Sequence, residues 1–468
     1  MADRQRSSAR AVYLLIVLVA AYIVAFLDRQ IIALLVTPIK MEFGISDFEV
    51  GLLQGLAFSL SFSIATLPVG WLVDRGNRKA VLLFGIAIWT VMTIFCGLAN
   101  SFWLLFLGRI GVGLGEACLS PAAYSMIIDS FSRERTVRAL TIFSMAGTLG
   151  VGAAFLGGGA AIEAINSLAV LPIGIRPWQA GFLLVSLPGF LVLAAALFVK
   201  EPMRKMGAAA PQTQLRPALR SLWADRRIYA PIYCCSVLLG VAYFAAIAWF
   251  AAHLIRFYGF TAPAAGRTLG ILFLCTTVTG TLCGTWATER FARRGHKDAP
   301  LRTVMFISFL AIPTSLAATI PNLFVSLGVL AVGMASLGSF YGNLVAALQL
   351  VTPASSRGVN SSVFILCNSL GSFAIGAALV GGLSDHLFAG MPQGVGYSVS
   401  IVSILCTCLS AFVAAKSLAR FARSMAASEQ EQPNRGDGKS GQRASEPDTG
   451  EAPLIAMSGV QGETAQMQ

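Results

Sequence analysis

The chain has 468 residues, of which 56% are hydrophobic and only 12% are charged, and its formal net charge at pH 7 is +12. Soluble domains carry about a quarter charged residues, so this composition argues against a soluble enzyme or binding module and favours a protein that faces lipid. The basic residues lie in short loops between long apolar segments, which argues against nucleic-acid binding as the reason for the positive charge.

Twelve apolar segments are long enough to cross a membrane, because a helix needs about 20 apolar residues to span the hydrocarbon layer. Numbered as spans 1 to 12, they cover residues 11–36, 50–73, 80–98, 102–128, 138–161, 178–199, 229–255, 268–288, 303–320, 322–350, 358–382 and 396–418. The stretch 303–356 is too long for one crossing, and Pro321 and Asn322 mark the turn that divides it. The sequence therefore predicts an all-α membrane protein with twelve transmembrane helices.

The distribution of basic residues predicts how the chain is oriented. Most of its 34 Lys and Arg residues lie in the terminal segments and in alternate loops, whereas only Lys40, Arg176, Arg256 and Arg267 lie on the other side. Because cytoplasmic loops are enriched in Lys and Arg, both termini are predicted to be cytoplasmic. We expect a cytoplasmic segment 1–10, a six-helix bundle 11–200, a cytoplasmic linker 201–228, a second six-helix bundle 229–420 and a disordered tail 424–468.

Four charged side chains fall inside the predicted spans of the first half: Asp28 and Arg29 in span 1, and Arg109 and Glu116 in span 4. Each costs at least about 2.5 kcal/mol at the centre of a lone helix, so such residues persist where they line an aqueous path or pair with each other. Arg109 and Glu116 are seven residues apart and share a helix face, whereas the neighbours Asp28 and Arg29 point about 100° apart.

These four residues predict a proton switch. Burial disfavours the charged form of a carboxylate and a nearby arginine favours it, so a change of conformation alters both effects. We predict that the two carboxylates bind and release a proton. The two arginines would alternate between these carboxylates and an anionic group of the substrate, since the guanidinium fork suits carboxylate or phosphate. A fixed ion-pair network that joins spans 1 and 4 is the alternative.

The second half differs sharply, because the interior of its spans holds no acidic or basic residue except His253. We expect His253 to lie at the outer rim rather than to relay protons. The apolar cavity candidates are Tyr243, Phe244, Trp249, Phe340, Tyr341, Asn343, Phe364 and Asn368. For any one aromatic residue, ordinary helix packing is the alternative. A cavity charged on one wall and apolar on the other suits an amphipathic substrate with an anionic head and a hydrocarbon tail.

A charged loop follows span 2 and recurs in weaker form after span 8. The first copy is Gly70-x-Leu72-x-Asp74-Arg75-Gly76-x-Arg78-Lys79, and the second is Gly284-x-Trp286-x-x-Glu289-Arg290. This recurrence predicts two duplicated halves, as in many secondary transporters.

The first copy also predicts a contact between the halves. Asp74 follows a helix end and is placed to cap a neighbouring helix N-terminus, while Arg78 can reach Asp129 at the end of span 4. We predict that Asp74, Arg78 and Asp129 form a cytoplasmic latch in the outward-open state. Ordinary positive-inside charge is the alternative.

The loop at 70–79 resembles the signature of the major facilitator superfamily, and Arg109-x-x-x-Gly113-x-Gly115 resembles that superfamily's second motif. This resemblance covers most of residues 11–420 and implies a transporter of two six-helix bundles that works by alternating access. Three further segments are similar to the spinster-like lipid transporters, which implies lysophospholipids or sphingoid phosphates as substrates: Phe26-Leu27-Asp28-Arg29, Gly113-Leu114-Gly115-Glu116-Ala117 and Gly382-Leu383-Ser384-Asp385. The charged residues of spans 1 and 4 also resemble those of anion:cation symporters, so a soluble organic anion such as a sugar acid is the alternative substrate.

A membrane enzyme is the competing class, and it would need a nucleophile–base set, metal ligands or a phosphate loop. The three histidines are isolated, and the nine cysteines lie in apolar segments without metal-ligand spacing. We therefore expect no enzymatic activity, metal or cofactor.

A receptor on a transporter scaffold is a further alternative. We expect a monomer in a bacterial inner membrane whose partners are its substrate, protons and membrane lipids, with no nucleic acid.

Overall fold

The computed structural model describes residues 2–167, 174–204, 220, 222–353 and 357–430, and every regular element in this part of the chain is helical. Twelve of its segments are long and apolar enough to cross a membrane: Ala9–Phe43, Asp47–Arg75, Arg78–Gly97, Phe102–Ser130, Leu149–Asn166, Pro177–Leu197, Arg226–Tyr258, Ala262–Arg293, Ala299–Thr319, Leu323–Val351, Val359–His386 and Gly394–Met425. We keep the names span 1 to span 12 for these segments. The predicted twelve-helix membrane fold is confirmed.

Most helices extend beyond the predicted spans, because hydropathy marks only the apolar centre of each. Span 1 belongs to a helix at Ala2–Phe43, and span 5 to a helix at Arg133–Asn166. The last helix is Gly394–Gln430, so the first residues of the predicted tail 424–468 are helical and the rest of it lies outside the described residues. The predicted linker 201–228 also lies largely outside them, and the helix of span 7 begins at Arg226.

Local sequence fixes several helix ends. At the start of span 2, the Glu49 amide donates to the Ser46 hydroxyl at 3.1 Å and the Ser46 amide donates to the Glu49 carboxylate at 2.8 Å, which is a capping box. Asn77 caps span 3 by accepting from the Ala80 amide at 2.9 Å. Gly259 ends span 7 at φ 70°, a left-handed conformation that favours glycine.

The fourth span of each half is broken near its middle. Span 4 consists of helices Phe102–Glu116 and Leu119–Ser130, and span 10 consists of Leu323–Leu337 and Phe340–Val351. Equivalent breaks are expected if the halves are repeats, and discontinuous helices form the substrate sites of many transporters. Span 11 contains a π-helical turn at Ser369–Ala374, a feature common at functional sites.

Spans 1–6 form the first half and spans 7–12 form the second. We call the surface with loops 76–77, 131–132 and 294–298 the basic side, and the surface with loops 44–46, 98–101, 259–261, 320–322 and 387–393 the far side. The halves approach closely toward the far side. A Cβ built on Gly159 of span 5 would lie 3.2 Å from the Cα of Gly266 of span 8. Small residues therefore let these two backbones meet.

Candidate functional site

An ion pair between the two predicted charged spans lies at the centre of the candidate site. The Arg29 guanidinium of span 1 donates a hydrogen bond to the Glu116 carboxylate, which ends the first helix of span 4. The Glu116 side chain is 1% exposed and the Arg29 side chain is 11% exposed. Arg29 also lines a small cavity with Gln54, whose buried side-chain nitrogen has no hydrogen-bond partner among the described residues.

Four phenylalanine rings surround the Arg29 guanidinium, and we call them the aromatic cage. The Arg29 Cζ lies 4.2 Å from the ring centroid of Phe58, 4.9 Å from Phe26, and 5.7 Å from both Phe62 and Phe373. Cations are attracted to the faces of such rings. Phe373 comes from the π-helical turn of span 11, so both halves of the protein hold this cation.

Three tyrosines lie between the ion pair and the basic side. Tyr22 is seven residues before Arg29 and Tyr124 is eight residues after Glu116, so each lies two helical turns, about 11 Å, toward the basic side. Tyr341 of the second half lies close to both of these tyrosines. Tyr124 and Tyr341 are 42% and 40% exposed. The tyrosines therefore line an approach to the ion pair from the basic side.

Arg109 and Asp28 are sealed within the first half. The fully buried Arg109 guanidinium donates to the backbone carbonyls of Asp28 at 3.1 Å, Arg29 at 3.3 Å and Leu53 at 3.4 Å. Asp28 is 1% exposed, and neither of its carboxylate oxygens has a hydrogen-bond partner among the described residues. The Thr93 hydroxyl is near Asp28, but it donates to the Trp89 carbonyl at 2.9 Å.

The four predicted charges therefore separate into one ion pair and two sealed groups. Arg29 and Asp28 face different surroundings, as expected for neighbours about 100° apart on a helix. Sequence spacing did not reveal that backbone carbonyls surround Arg109, because the approach of spans 1 and 2 to span 4 is a tertiary contact. A fully buried guanidinium needs such acceptors, since an unpaired buried charge is costly.

The predicted latch residues lie on the basic side. Arg78 is buried and forms ion pairs with Asp129 and with Glu201, the latter at 2.7 Å. It also donates to the Ser125 hydroxyl at 3.1 Å. Asp74 is exposed, and its backbone carbonyl accepts from Arg204. Sequence reasoning missed Glu201, which lies four residues after the end of span 6 and accepts from the Arg78 side chain and the Lys79 amide of span 3.

The second-half candidates divide by exposure. Tyr341 is exposed, and Tyr243 and Phe244 are half-buried. Phe244 stacks on Phe373 at a centroid distance of 3.6 Å and thus backs the aromatic cage. The structure buries the other candidates in the packing of the second half: Trp249, Phe340, Asn343, Phe364 and Asn368.

Two of these buried residues have clear bonding roles. The Trp249 indole donates to the Ala377 carbonyl at 2.9 Å, and the Asn343 amide donates to the Ser339 carbonyl at 2.9 Å. The sequence could not separate lining from packing residues, because both are aromatic or amide residues in apolar helices.

His253 lies near the far-side end of span 7, but it is not at an exposed rim. The side chain is fully buried against Phe250, Phe257 and Tyr258, with ring centroids 5.4–5.5 Å away. Neither ring nitrogen has a hydrogen-bond partner among the described residues.

Comparison with known proteins identifies the family. The sequence profile of the Major Facilitator Superfamily matches residues 18–376. A probable L-galactonate transporter of Escherichia coli strain K12 is 25% identical over 414 residues, which are 85% of this chain and 86% of the relative. The sphingosine-1-phosphate transporter SPNS2 of Mus musculus is 37% identical over 141 residues, covering 30% of this chain and 26% of the relative.

The fold comparison agrees. A crystal structure of a bacterial homolog of the human lysosomal transporter Spinster, in an inward-facing and unoccupied conformation, matches with a TM-score of 0.73. It is 23% identical and covers 90% of this chain and 98% of its own. The relatives and structural neighbours are transporters rather than enzymes. The chain is therefore a multi-pass integral membrane protein that belongs to the Major Facilitator Superfamily of transporters and resembles its spinster-like members.

Proposed function

We propose that this transporter moves an amphipathic, anionic, lipid-like solute by alternating access, coupled to protons. The Arg29–Glu116 pair carries this proposal, because it lies where the two halves meet and at the end of the approach lined by tyrosines. An anionic head group that binds Arg29 would compete directly with Glu116 for the same guanidinium.

This competition offers a simple coupling. When substrate takes Arg29, the buried Glu116 carboxylate loses its partner, and an unpaired buried charge is costly. Uptake of one proton by Glu116 removes that cost. Arginine suits both partners, since its planar fork binds carboxylate and phosphate alike. Substrate and proton would thus bind together at one site.

Asp28 is the second proposed proton carrier. Its carboxylate is buried without a hydrogen-bond partner, so an ionised form would be poorly compensated in this conformation. We therefore propose that Asp28 holds a proton while the far side is closed. Release of that proton would require a conformation in which water reaches Asp28 among the helices of the first half.

The surroundings favour a substrate with an apolar portion. Phe26, Phe58, Phe62, Phe244 and Phe373 lie around or behind Arg29, so apolar rings surround the ion pair. A hydrocarbon tail gains by leaving water for such a surface. The mouse relative named for sphingosine-1-phosphate is consistent with a lysophospholipid or sphingoid phosphate.

The second candidate is a proton-coupled symporter of a soluble organic anion such as a sugar acid. The similarity to a probable L-galactonate transporter over 414 residues favours it. Arg29 suits a sugar carboxylate as well as a phosphate, and the three tyrosines offer hydroxyl groups to a polyol.

Flux into proteoliposomes tests both candidates. A fluorescent lysophospholipid, a sphingoid phosphate and a radiolabelled sugar acid are offered separately, with and without an imposed pH gradient. We expect gradient-stimulated movement of one of the two lipids and none of the sugar acid. Gradient-driven flux of the sugar acid alone would instead establish the second candidate. Lipid movement that the pH gradient leaves unchanged would refute the proton coupling.

A further inference from the structure

A buried aspartate at the far side joins the two halves. Asp47, the first residue of the helix that opens span 2, accepts hydrogen bonds from both terminal nitrogens of Arg256 in span 7, at 2.8 and 2.9 Å. It also accepts from Lys40 at 2.7 Å and from the Ser384 hydroxyl of span 11 at 2.9 Å. The Asp47 side chain is only 4% exposed, so solvent screens these contacts weakly.

A second carboxylate caps the same helix from the other half. Asp385 of span 11 accepts from the backbone amide of Asp47 at 3.0 Å and from that of Phe48 at 2.7 Å. The first amides of a helix have no partner within it, and the helix dipole favours a negative charge there. The second half therefore completes a helix end that belongs to the first half.

Glycines allow this close approach between spans 2 and 11. A Cβ on Gly381 would lie 2.8 Å from the amide nitrogen of Phe48, and a Cβ on Gly51 would lie 2.9 Å from the Cα of Ala378. Any larger side chain at either position would push the halves apart on the far side.

The same helices connect this cluster to the aromatic cage. Phe244 and Arg256 are twelve residues apart in span 7, and Phe373 and Asp385 are twelve residues apart in span 11. Each interval is about 18 Å of helix, so spans 7 and 11 both run from the far-side cluster to the aromatic cage around Arg29.

We propose that Lys40, Asp47, Arg256, Ser384 and Asp385 form a lock that holds the far side closed. The lock gives a role to Gly382-Leu383-Ser384-Asp385, because Ser384 and Asp385 bind span 2 directly. It rests on alternating access as proposed above, but on neither the substrate nor the protons.

A neighbouring ion pair serves as a matched control. Glu163 of span 5 and Arg267 of span 8 also join the halves on the far side, at 3.3 Å. Their side chains are 54% and 57% exposed, and exposed ion pairs contribute little. Glu163→Gln should therefore leave the far side closed.

Distance measurements between spin labels test the lock. Labels are placed at Asn100→Cys and Met391→Cys, two exposed far-side positions in different halves, in full-length protein whose nine native cysteines are replaced. In Asp47→Asn and in Arg256→Gln, we expect the ratio of the long-distance to the short-distance population to rise about tenfold or more. Each change breaks a buried ion pair. Asp385→Asn replaces either variant if that variant fails to fold.

A double-mutant cycle separates a lock from general loosening. If Asp47 and Arg256 act on each other, the double variant should shift the distances no further than either single variant. Distances that match the parent in every folded variant, or that shift equally in Glu163→Gln, would overturn the proposal. Flux of lipid is measured in parallel, so that the two proposals can fail separately. A shifted distance distribution without lipid transport would support the lock and refute only the proposed lipid-like substrate.

Discussion

The two halves of this protein bury polar groups in opposite ways. The first half buries Asp28, Arg109 and Glu116 between its helices, at a cost that only a function or precise pairing offsets. The second half uses neutral groups instead, such as the Asn343 oxygen that accepts from Thr288 and the hydroxyls of Ser308 and Ser410 at 3.0 Å. This contrast underlies our proposal that proton coupling belongs to the first half and substrate shape to the second.

Glu116→Gln should have the largest effect of any change in the first half. It leaves Arg29 buried beside a neutral amide, so we expect flux to fall at least about a hundredfold and the free energy of unfolding to fall by about 3–5 kcal/mol. Flux in proteoliposomes and thermal unfolding in detergent measure the two quantities. In the double variant Arg29→Met with Glu116→Leu, stability should recover while flux does not. Recovery of both would show that the Arg29–Glu116 pair has only a structural role.

Asp28→Asn tests whether the second buried carboxylate of the first half carries a proton. Since the Asp28 carboxylate has no hydrogen-bond partner among the described residues, its neutral isostere should change the free energy of unfolding by no more than about 1 kcal/mol. We expect proton-driven accumulation to disappear while exchange of substrate across the membrane continues. Undiminished accumulation would show that Asp28 carries no proton.

Tyr341→Ala tests the role of the second half. This exposed side chain faces Tyr22 and Tyr124 across the approach, so its loss should raise the KM for an amphipathic substrate by about tenfold with little change in proton coupling. Phe421→Ala is the matched control, because Phe421 is buried in span 12 of the second half. It should lower stability by about 3–5 kcal/mol without altering the preference among substrates.

His253→Leu should have the smallest effect. The imidazole has no hydrogen bond to lose among the described residues and is surrounded by aromatic rings, so an apolar side chain of similar size should be tolerated within about 1.5 kcal/mol. The dependence of flux on pH should superimpose on that of the parent. A shifted dependence of flux on pH would place His253 in the proton path. It would also show that proton coupling is not confined to the first half.

Much of the architecture follows from the sequence alone. Hydrophobic length predicts the twelve spans, because a bilayer admits only helices or closed barrels and sets their length. The repeated charged loop predicts two halves, and the rarity of charges in lipid singles out Asp28, Arg29, Arg109 and Glu116. The predicted reach of Arg78 to Asp129 also agrees with the structure, since both residues lie near helix ends on the same side.

Tertiary structure alone decides how those charges are used. Spacing along a helix fixes which side chains share a face, but the partner of each depends on which helix lies opposite and how closely it approaches. Thus Arg29 rather than Arg109 pairs with Glu116, since the Arg109 guanidinium already donates to backbone carbonyls of spans 1 and 2. Likewise Asp47 and Asp385 are 338 residues apart, and only the glycine-lined contact of spans 2 and 11 brings them together.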